Sequence, residues 1–324
     1  MTESTRILIT GGSGFIGINL VEHYLRRGTP VLNLDIKPPR NRAHAPAWQA
    51  CDVREGQRLR ELVEAFRPSH LFHLAARTDL DGTTAEDYSS NSDGTSRVIE
   101  VATDLASLRR VIFFSSRMVC RIGYEPRHPE DYCPVTPYGE SKVEGERRVR
   151  ASADRLPDWV IVRPSSIWGP WFEIPYRTFF DAVAHGRYLH PRGQRVHKSF
   201  GYVGNTVHQV DRLMFADSAA VRGKTFYLCD SPLEVRAFAE QIRREFGAPP
   251  VREVPLPLLR VAARCGDLLQ RLGLRHPPLT SFRLDNLLTN MLHDATALDA
   301  VCGPPPVGIE EGVAHTVAWM RSQG

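Results

Sequence analysis

Through the first half of the chain, short apolar runs alternate with segments whose apolar residues return every three or four positions. RILIT (6–10) is an apolar run that stops at glycines. From Phe15 to Arg27 the apolar residues Phe15, Ile16, Leu20, Val21, Tyr24 and Leu25 share one helical face. VLNLD (31–35) predicts the next strand, LRELVEAFR (59–67) a helix and HLFHLAA (70–76) a strand. TSRVIEVATDL (95–105) predicts a helix, RVIFFSS (110–116) a buried strand and YGESKVEGERRVRAS (138–152) a charged helix. WVIVRPSSIWG (159–169) reads as a strand with its exit loop. These strands are apolar at nearly every position, which suits a sheet covered on both faces. Repeated βα units with right-handed crossovers predict an α/β fold built on a doubly wound parallel sheet.

The pattern changes after residue 170. Residues 171–193, WFEIPYRTFFDAVAHGRYLHPRG, are rich in aromatic residues, histidine and proline, which suits a binding surface more than a regular layer. FYLCD (226–230) is again strand-like, and LEVRAFAEQIRREFG (233–247) is an amphipathic helix stopping at a glycine. Four prolines in 248–257 make an extended link. LLRVAARCGDLLQRLGL (258–274) predicts a helix that packs its leucines inward and leaves Arg260, Arg264 and Arg271 in solvent, in preference to a membrane-surface helix. EEGVAHTVAWMR closes the chain with a short helix. The expected organisation is a nucleotide-binding domain over 1–167, with returning segments near 200–230, and an interleaved substrate-binding cap over 168–324.

A chain of 324 residues buries enough surface to need no staples. Its formal charge of +4 comes from 41 basic and 37 acidic residues without a block of five like charges, so the dense basic stripe of a nucleic-acid binder is missing. The six cysteines are scattered, with no C-x-x-C pair and no zinc-like spacing, so no metal site is expected. The start, MTESTRILITGG, lacks the basic and apolar regions of a secretory signal, and no window has the 18 apolar residues of a spanning helix. The expectation is a reduced cytoplasmic protein with neither a membrane nor a nucleic-acid partner.

TGGSGFIG (10–17) places Gly11, Gly14 and Gly17 between a strand and a helix. There the backbone can approach a pyrophosphate, whose charge rests at the start of the helix formed by Phe15 and Ile16. Asp35 ends the second strand, where a carboxylate accepts the adenosine ribose hydroxyls and repels a 2′-phosphate. NAD is therefore expected over NADP, although Lys37, Arg40 and Arg42 lie nearby. Tyr138 and Lys142 stand four apart on one helical face. A lysine ammonium beside a phenol favours the phenolate, so Tyr138 can exchange a proton with a substrate hydroxyl.

Taken together, these residues resemble the extended short-chain dehydrogenase/reductase family, in its NAD-dependent epimerase/dehydratase branch. The resemblance rests on TGGSGFIG, Asp35, CDV with Asp52, HLAA (73–76), Asn91 to Thr95, FFSS, PYGESK, RPSSIWGP (163–170), FGYVGN (200–205) and FYLCDSP (226–232). It implies a Rossmann domain and a catalytic set of Ser116, Tyr138 and Lys142. It places Asp52 and Val53 against the adenine, Leu74, Ala75 and Ala76 beside the ribose and phosphates, and Pro164 and Ser166 at the nicotinamide. Lys142 would also hold the nicotinamide ribose. Substrate contacts are expected from Arg117, Ser166 and Lys198, and a homodimer from the helix after Gly94 and the helix containing Tyr138.

The chain departs from the family pattern at Cys120, Ser166 and Asn205, where tyrosine, asparagine and aspartate are usual, so the sugar pocket is not a standard one. Relatives that dehydrate carry an acid pair directly after the catalytic hydroxyl; here Arg117 and Met118 stand there, and neither cycles a proton at neutral pH. The expected activity is thus NAD-dependent epimerisation of a nucleotide sugar. The alternative is a ketoreductase or dehydrogenase of a similar hydroxyl; a 4,6-dehydratase or a silent dinucleotide-binding regulator fits less well. Trp168, Trp171, Phe172, Tyr176, His190 and His197 are candidates for holding base or sugar, or for an aromatic core. His73 and His208 are expected to be structural.

Overall fold

The computed structural model describes residues 5–174, 176–274, 277 and 279–323. Six strands follow one another in the first half: β1 (Ile7–Thr10), β2 (Val31–Asp35), β3 (Trp48–Ala50), β4 (His70–His73), β5 (Arg110–Phe114) and β6 (Asp158–Pro164). Four short strands come next, β7 (Ser166–Trp168), β8 (Leu189–Pro191), β9 (His197–Lys198) and β10 (Phe200–Tyr202), and then β11 (Thr225–Leu228) returns to the central sheet. The seven-stranded sheet has the order β11-β6-β5-β4-β1-β2-β3, and every pairing in it is parallel. Its order reverses between β1 and β4, which opens a crevice at the carboxyl ends of those strands.

Alternation along β1 divides the core. Ile7 and Ile9 face a cluster with α1 (Phe15–Arg26), while Leu8 faces one with α2 (Gly56–Phe66) and α3 (Ser89–Asp104). α4 (Pro137–Ala151) adds Val149 to the second cluster. The second half supplies α5 (Tyr176–Ala184), α6 (Val203–Phe215), α7 (Ser218–Val221), α8 (Val235–Phe246), α9 (Leu256–Arg271), α10 (Ser281–Leu288), α11 (Thr296–Cys302) and α12 (Ile309–Ser322). α6 packs beside α1 and α11 beside α6, giving the first cluster Val207, Val210, Leu213 and Leu298. A third core gathers Trp168, Phe172, Phe180, Tyr202, Phe238 and Val313, which joins β7, β10, α5, α8 and α12.

The departures from the sequence reading have local causes. α3 begins at Ser89, six residues before the predicted start, through a stretch, SSNSDG, whose composition favours turns. Asn91, Gly94 and Thr95 are buried there, so tertiary contacts override propensity. β3 is a short, largely exposed edge strand with no apolar alternation, recognisable only by its pairing with β2. Residues 171–193, expected to be irregular, contain α5, and their aromatic residues fill the third core. On α9 the expectation of inward leucines holds for Leu259 but fails for Leu258, Leu268 and Leu269, and for Leu272 just past the helix, which are all exposed. No helix among the described residues is long and apolar enough to cross a membrane.

Candidate active site

β5 delivers Ser115 and Ser116 to the carboxyl edge of the sheet. Ser116 caps a single 3-10 turn, Arg117–Val119, its Oγ accepting the Met118 amide at 3.1 Å. That bond uses a lone pair and leaves the hydroxyl proton free for another acceptor. The start of α4 is fixed in the same manner: Thr136 Oγ1 accepts the Gly139 amide at 3.0 Å and Pro137 occupies the first turn. A side chain at Gly139 would collide with the Met118 carbonyl, so this glycine lets the turn carrying Ser116 lie against the first turn of α4. Ser116 and Tyr138 thereby meet across two elements.

Burial pushes the Tyr138 phenol up to about 12, while the Ser116 hydroxyl and the Arg117 guanidinium act in the opposite direction. Lys142 was expected to supply that favourable charge. Its ammonium donates to the Phe114 carbonyl at 3.0 Å and lies 6.0 Å from the phenol ring centroid. Burial lowers Lys142 to about 8, with Glu146 acting against the shift. Lys142 is thus tethered to the end of β5 within reach of the phenol ring, and the Arg117 charge also acts to favour the phenolate. Removing that charge disfavours the phenolate, so Arg117→Met is expected to move the ascending limb of the pH–rate profile, where the phenolate forms, to higher pH. A profile that does not move would show that Arg117 has no hold on the phenol.

A buried charge network lies behind these residues, and the sequence reading missed it. Glu146, one turn beyond Lys142, receives Arg163 at 2.8 Å on each oxygen, Ser115 Oγ at 2.6 Å and the Tyr132 hydroxyl at 2.9 Å. Arg163 also donates to the Tyr227 hydroxyl and to the Pro129 carbonyl. Both members of the ion pair are 1% exposed. One signal was available: a lone arginine inside the apolar run WVIVRP, and a glutamate four residues after Lys142. A second fastener is Asn91, whose side chain accepts the Arg77 amide at 2.7 Å and donates to the Arg77 carbonyl at 3.0 Å and to Ser141 Oγ at 2.9 Å. It ties the loop after β4 to the helix that carries Tyr138.

The other end of the crevice fits a dinucleotide. Gly14 is the N-terminal cap of α1 and brings no side-chain hydrogen bond to the helix end, leaving its first amides available to an anion. A Cβ on Gly14 would meet only the Gly11 carbonyl, tightly at 3.3 Å, whereas one on Gly17 would collide with Gly11 and Gly12. Gly17 thus brings helix and loop together, and Gly14 leaves room for a pyrophosphate. The Asp35 carboxylate accepts the Ser13 amide at 3.0 Å and the Lys37 amide at 2.9 Å, one on each oxygen. Each oxygen keeps a lone pair for a ribose hydroxyl. Arg40 is committed elsewhere, to the Glu173 carboxylate at 2.9 Å and the Trp171 carbonyl at 2.6 Å. Asp35→Ala is expected to cut the preference for NAD over NADP at least about tenfold in a binding titration, because the repulsion of a 2′-phosphate is removed. An unchanged ratio would take Asp35 out of the ribose site.

The remaining expected residues divide. The Leu74 amide donates to the Thr10 carbonyl at 2.9 Å and the Ala75 amide to Thr10 Oγ1 at 3.4 Å, which sets the Leu74–Ala76 loop beside the glycine loop. Val53 is buried against Gly94, but the Asp52 carboxylate is taken up by the Arg54 amide and guanidinium. Pro164 ends β6 opposite Leu228, and buried Ser166 turns its hydroxyl toward the Met291 sulfur at 3.8 Å. The Lys198 ammonium donates to the carbonyls of Asn286 and Thr289 at the end of α10, so two of its protons serve the helix terminus rather than a ligand. Arg117 is half-buried, and its guanidinium has neither a hydrogen bond nor an ion pair among the described residues. Its charge also bears on Lys198 and on His293, which burial lowers to about 4.

Trp168, Phe172 and His190 are buried core residues, and His197 is exposed. His73 bridges Thr10 and Thr95 by its two ring nitrogens, and burial lowers it to about 3, so it is a neutral structural group. Asn205 holds the Val307 backbone and the Asp230 carboxylate. Cys120 is a buried free thiol beside Cys133 in a one-residue bridge.

Comparison with known proteins agrees with this geometry. A family model described as the NAD dependent epimerase/dehydratase family matches residues 7–229. A 2-alkyl-3-oxoalkanoate reductase of Stenotrophomonas maltophilia is 29% identical over 97% of this chain and 98% of its own. An N-acetyl-alpha-D-glucosaminyl-diphospho-ditrans,octacis-undecaprenol 4-epimerase of Escherichia coli is 24% identical over 97% of this chain and 94% of its own. Among solved structures, the UDP-glucose 4-epimerase of Thermus thermophilus in complex with NAD superimposes with a TM-score of 0.74 at 20% identity, covering 99% of this chain and 100% of that one. The last likeness speaks to the fold.

Proposed function

Because the chain belongs to the NAD-dependent epimerase/dehydratase family and is an enzyme of the extended short-chain dehydrogenase type, we propose that it epimerises a sugar carried on a diphosphate, using NAD. In this reading the Tyr138 phenol exchanges the proton of the sugar hydroxyl, and Ser116 donates its free proton to the same oxygen. Lys142 holds the nicotinamide ribose and anchors the end of β5. Gly11, Gly14, Phe15, Ile16, Gly17 and Asp35 hold the adenine half of the dinucleotide, which when bound accepts a hydride from the sugar carbon and returns it. Inversion of the centre would require return to the other face of the ketone, after which the Tyr138 phenol gives the proton back to the sugar oxygen.

The observation that carries the reading is Arg117. A half-buried guanidinium without a counter-ion among the described residues stands directly after the catalytic hydroxyl, where a dehydrating site needs an acid. It suits an anionic diphosphate, which can anchor the substrate while the keto sugar turns over. The same guanidinium also suits a carboxylate next to a ketone, and this favours a second reading, a ketoreductase of an oxo acid or similar substrate. Incubation with a panel of nucleotide sugars, with and without reduced cofactor and followed by NMR, separates the two. Isomer formation without net cofactor use is the expected result; stoichiometric oxidation of the reduced cofactor would replace the epimerase with the reductase.

A further inference from the structure

The uncovered face of α9 has a consequence for where the protein works. Leu258, Val261, Leu268, Leu269 and Leu272 are 61%, 58%, 57%, 45% and 75% exposed. At about 100° per residue they fall within one arc of roughly 120° on the helix. The opposite face, Leu259, Ala263 and Gly266, is buried against α10 and the segment before it, so the exposed stripe is the outer side of a helix that is already packed. Arg260, Arg264 and Arg271 line one border of the stripe; none forms a direct ion pair among the described residues, and Arg271 alone feels the charge of Asp267. The helix's sole acid, Asp267, is turned inward to the Ser281 amide at 2.9 Å and the Ser281 hydroxyl at 2.5 Å.

We propose that α9 docks this protein peripherally on an anionic lipid bilayer, its leucines entering the headgroup boundary and its arginines meeting lipid phosphates. An apolar stripe bordered by unpaired arginines is complementary to such a surface. It is poorly complementary to a second copy, because a two-fold contact here would crowd two arginine borders with no acid to answer them. The surface adjoins the site: the end of α10 receives the Lys198 ammonium, and Met291 lies against Ser166. Docking would therefore hold the active-site crevice close to the membrane. This proposal rests on the cap surface alone and is independent of the reaction assigned to the crevice.

The test is flotation of the full chain with phosphatidylcholine vesicles, with and without about 30% phosphatidylglycerol, at low and high salt. The protein is expected to float with the anionic vesicles, at least about tenfold more than with the neutral ones or at high salt. A Leu268→Glu/Leu272→Glu variant is expected to lose flotation while keeping its melting temperature and its turnover of soluble substrate. An Arg260→Gln/Arg264→Gln/Arg271→Gln variant, which leaves the apolar stripe intact, should bind weakly and without salt dependence. Wild-type protein that stays unbound to both vesicle types, or equal flotation of the leucine variant, overturns the proposal. A dimer abolished by the leucine variant, with no vesicle binding, also overturns it and gives the stripe to a second copy.

Discussion

Tyr138→Phe is expected to lose at least about a hundredfold in turnover, the scale of a lost acid–base group, while the protein keeps its melting temperature and its affinity for NAD. The geometry separates these effects. Tyr138 is buried, but the structural duties around it belong to other atoms: Thr136 caps the helix, Gly139 admits the Met118 carbonyl, and Lys142 is tethered to β5. Removing the phenolic oxygen therefore removes chemistry and little else. Turnover within a few-fold of wild type would dismiss the proton-transfer role and with it the triad.

Glu146→Ala is expected to destabilise the protein by about 3–5 kcal/mol, read as a lowered midpoint in urea, because it leaves the buried Arg163 guanidinium without its counter-charge. The same change strands the Ser115 and Tyr132 hydroxyls that Glu146 accepts. Because Ser115 adjoins Ser116, and Glu146 supports the charge of Lys142, activity should fall at temperatures where the variant is still folded. Replacing both partners together, Glu146→Leu with Arg163→Met, should cost much less stability, since two desolvated charges disappear as a pair. Equal losses for the single and double replacements would show that packing, not charge balance, is what Glu146 supplies.

The parts of the fold that periodicity governs were legible in the sequence. The apolar runs of β1, β2, β5 and β6 and the helical faces of α1, α4 and α8 are local patterns, and they fall within a residue or two of their predicted places. β3 was not legible because an exposed edge strand needs no apolar pattern, and the start of α3 was hidden because Asn91 and Gly94 are there for contacts made across the fold. In the site, spacing brought forward Tyr138 and Lys142, and Ser116 followed from the family resemblance. Spacing did not reveal that the Lys142 ammonium is tied to the Phe114 carbonyl, nor that the Arg117 charge also acts on the phenol. Lys198 shows the same limit: spacing did not reveal that two of its ammonium protons are given to the carbonyls at the end of α10. The outward leucines of α9 reversed the expectation because helical periodicity identifies a face, and only the packing of Leu259 and Ala263 decides which face is covered.

The central claim is that Tyr138, Ser116 and bound NAD invert a carbinol centre by removing a hydride and returning it to the same carbon. It is tested most directly with a diphosphate-linked sugar deuterated at the reacting carbon, followed by NMR and mass spectrometry. The epimer is predicted to keep its deuterium at that carbon, with no label washed into solvent and no net reduced cofactor formed. Deuterium lost from the product, or product that appears only as added reduced cofactor is consumed, would contradict it.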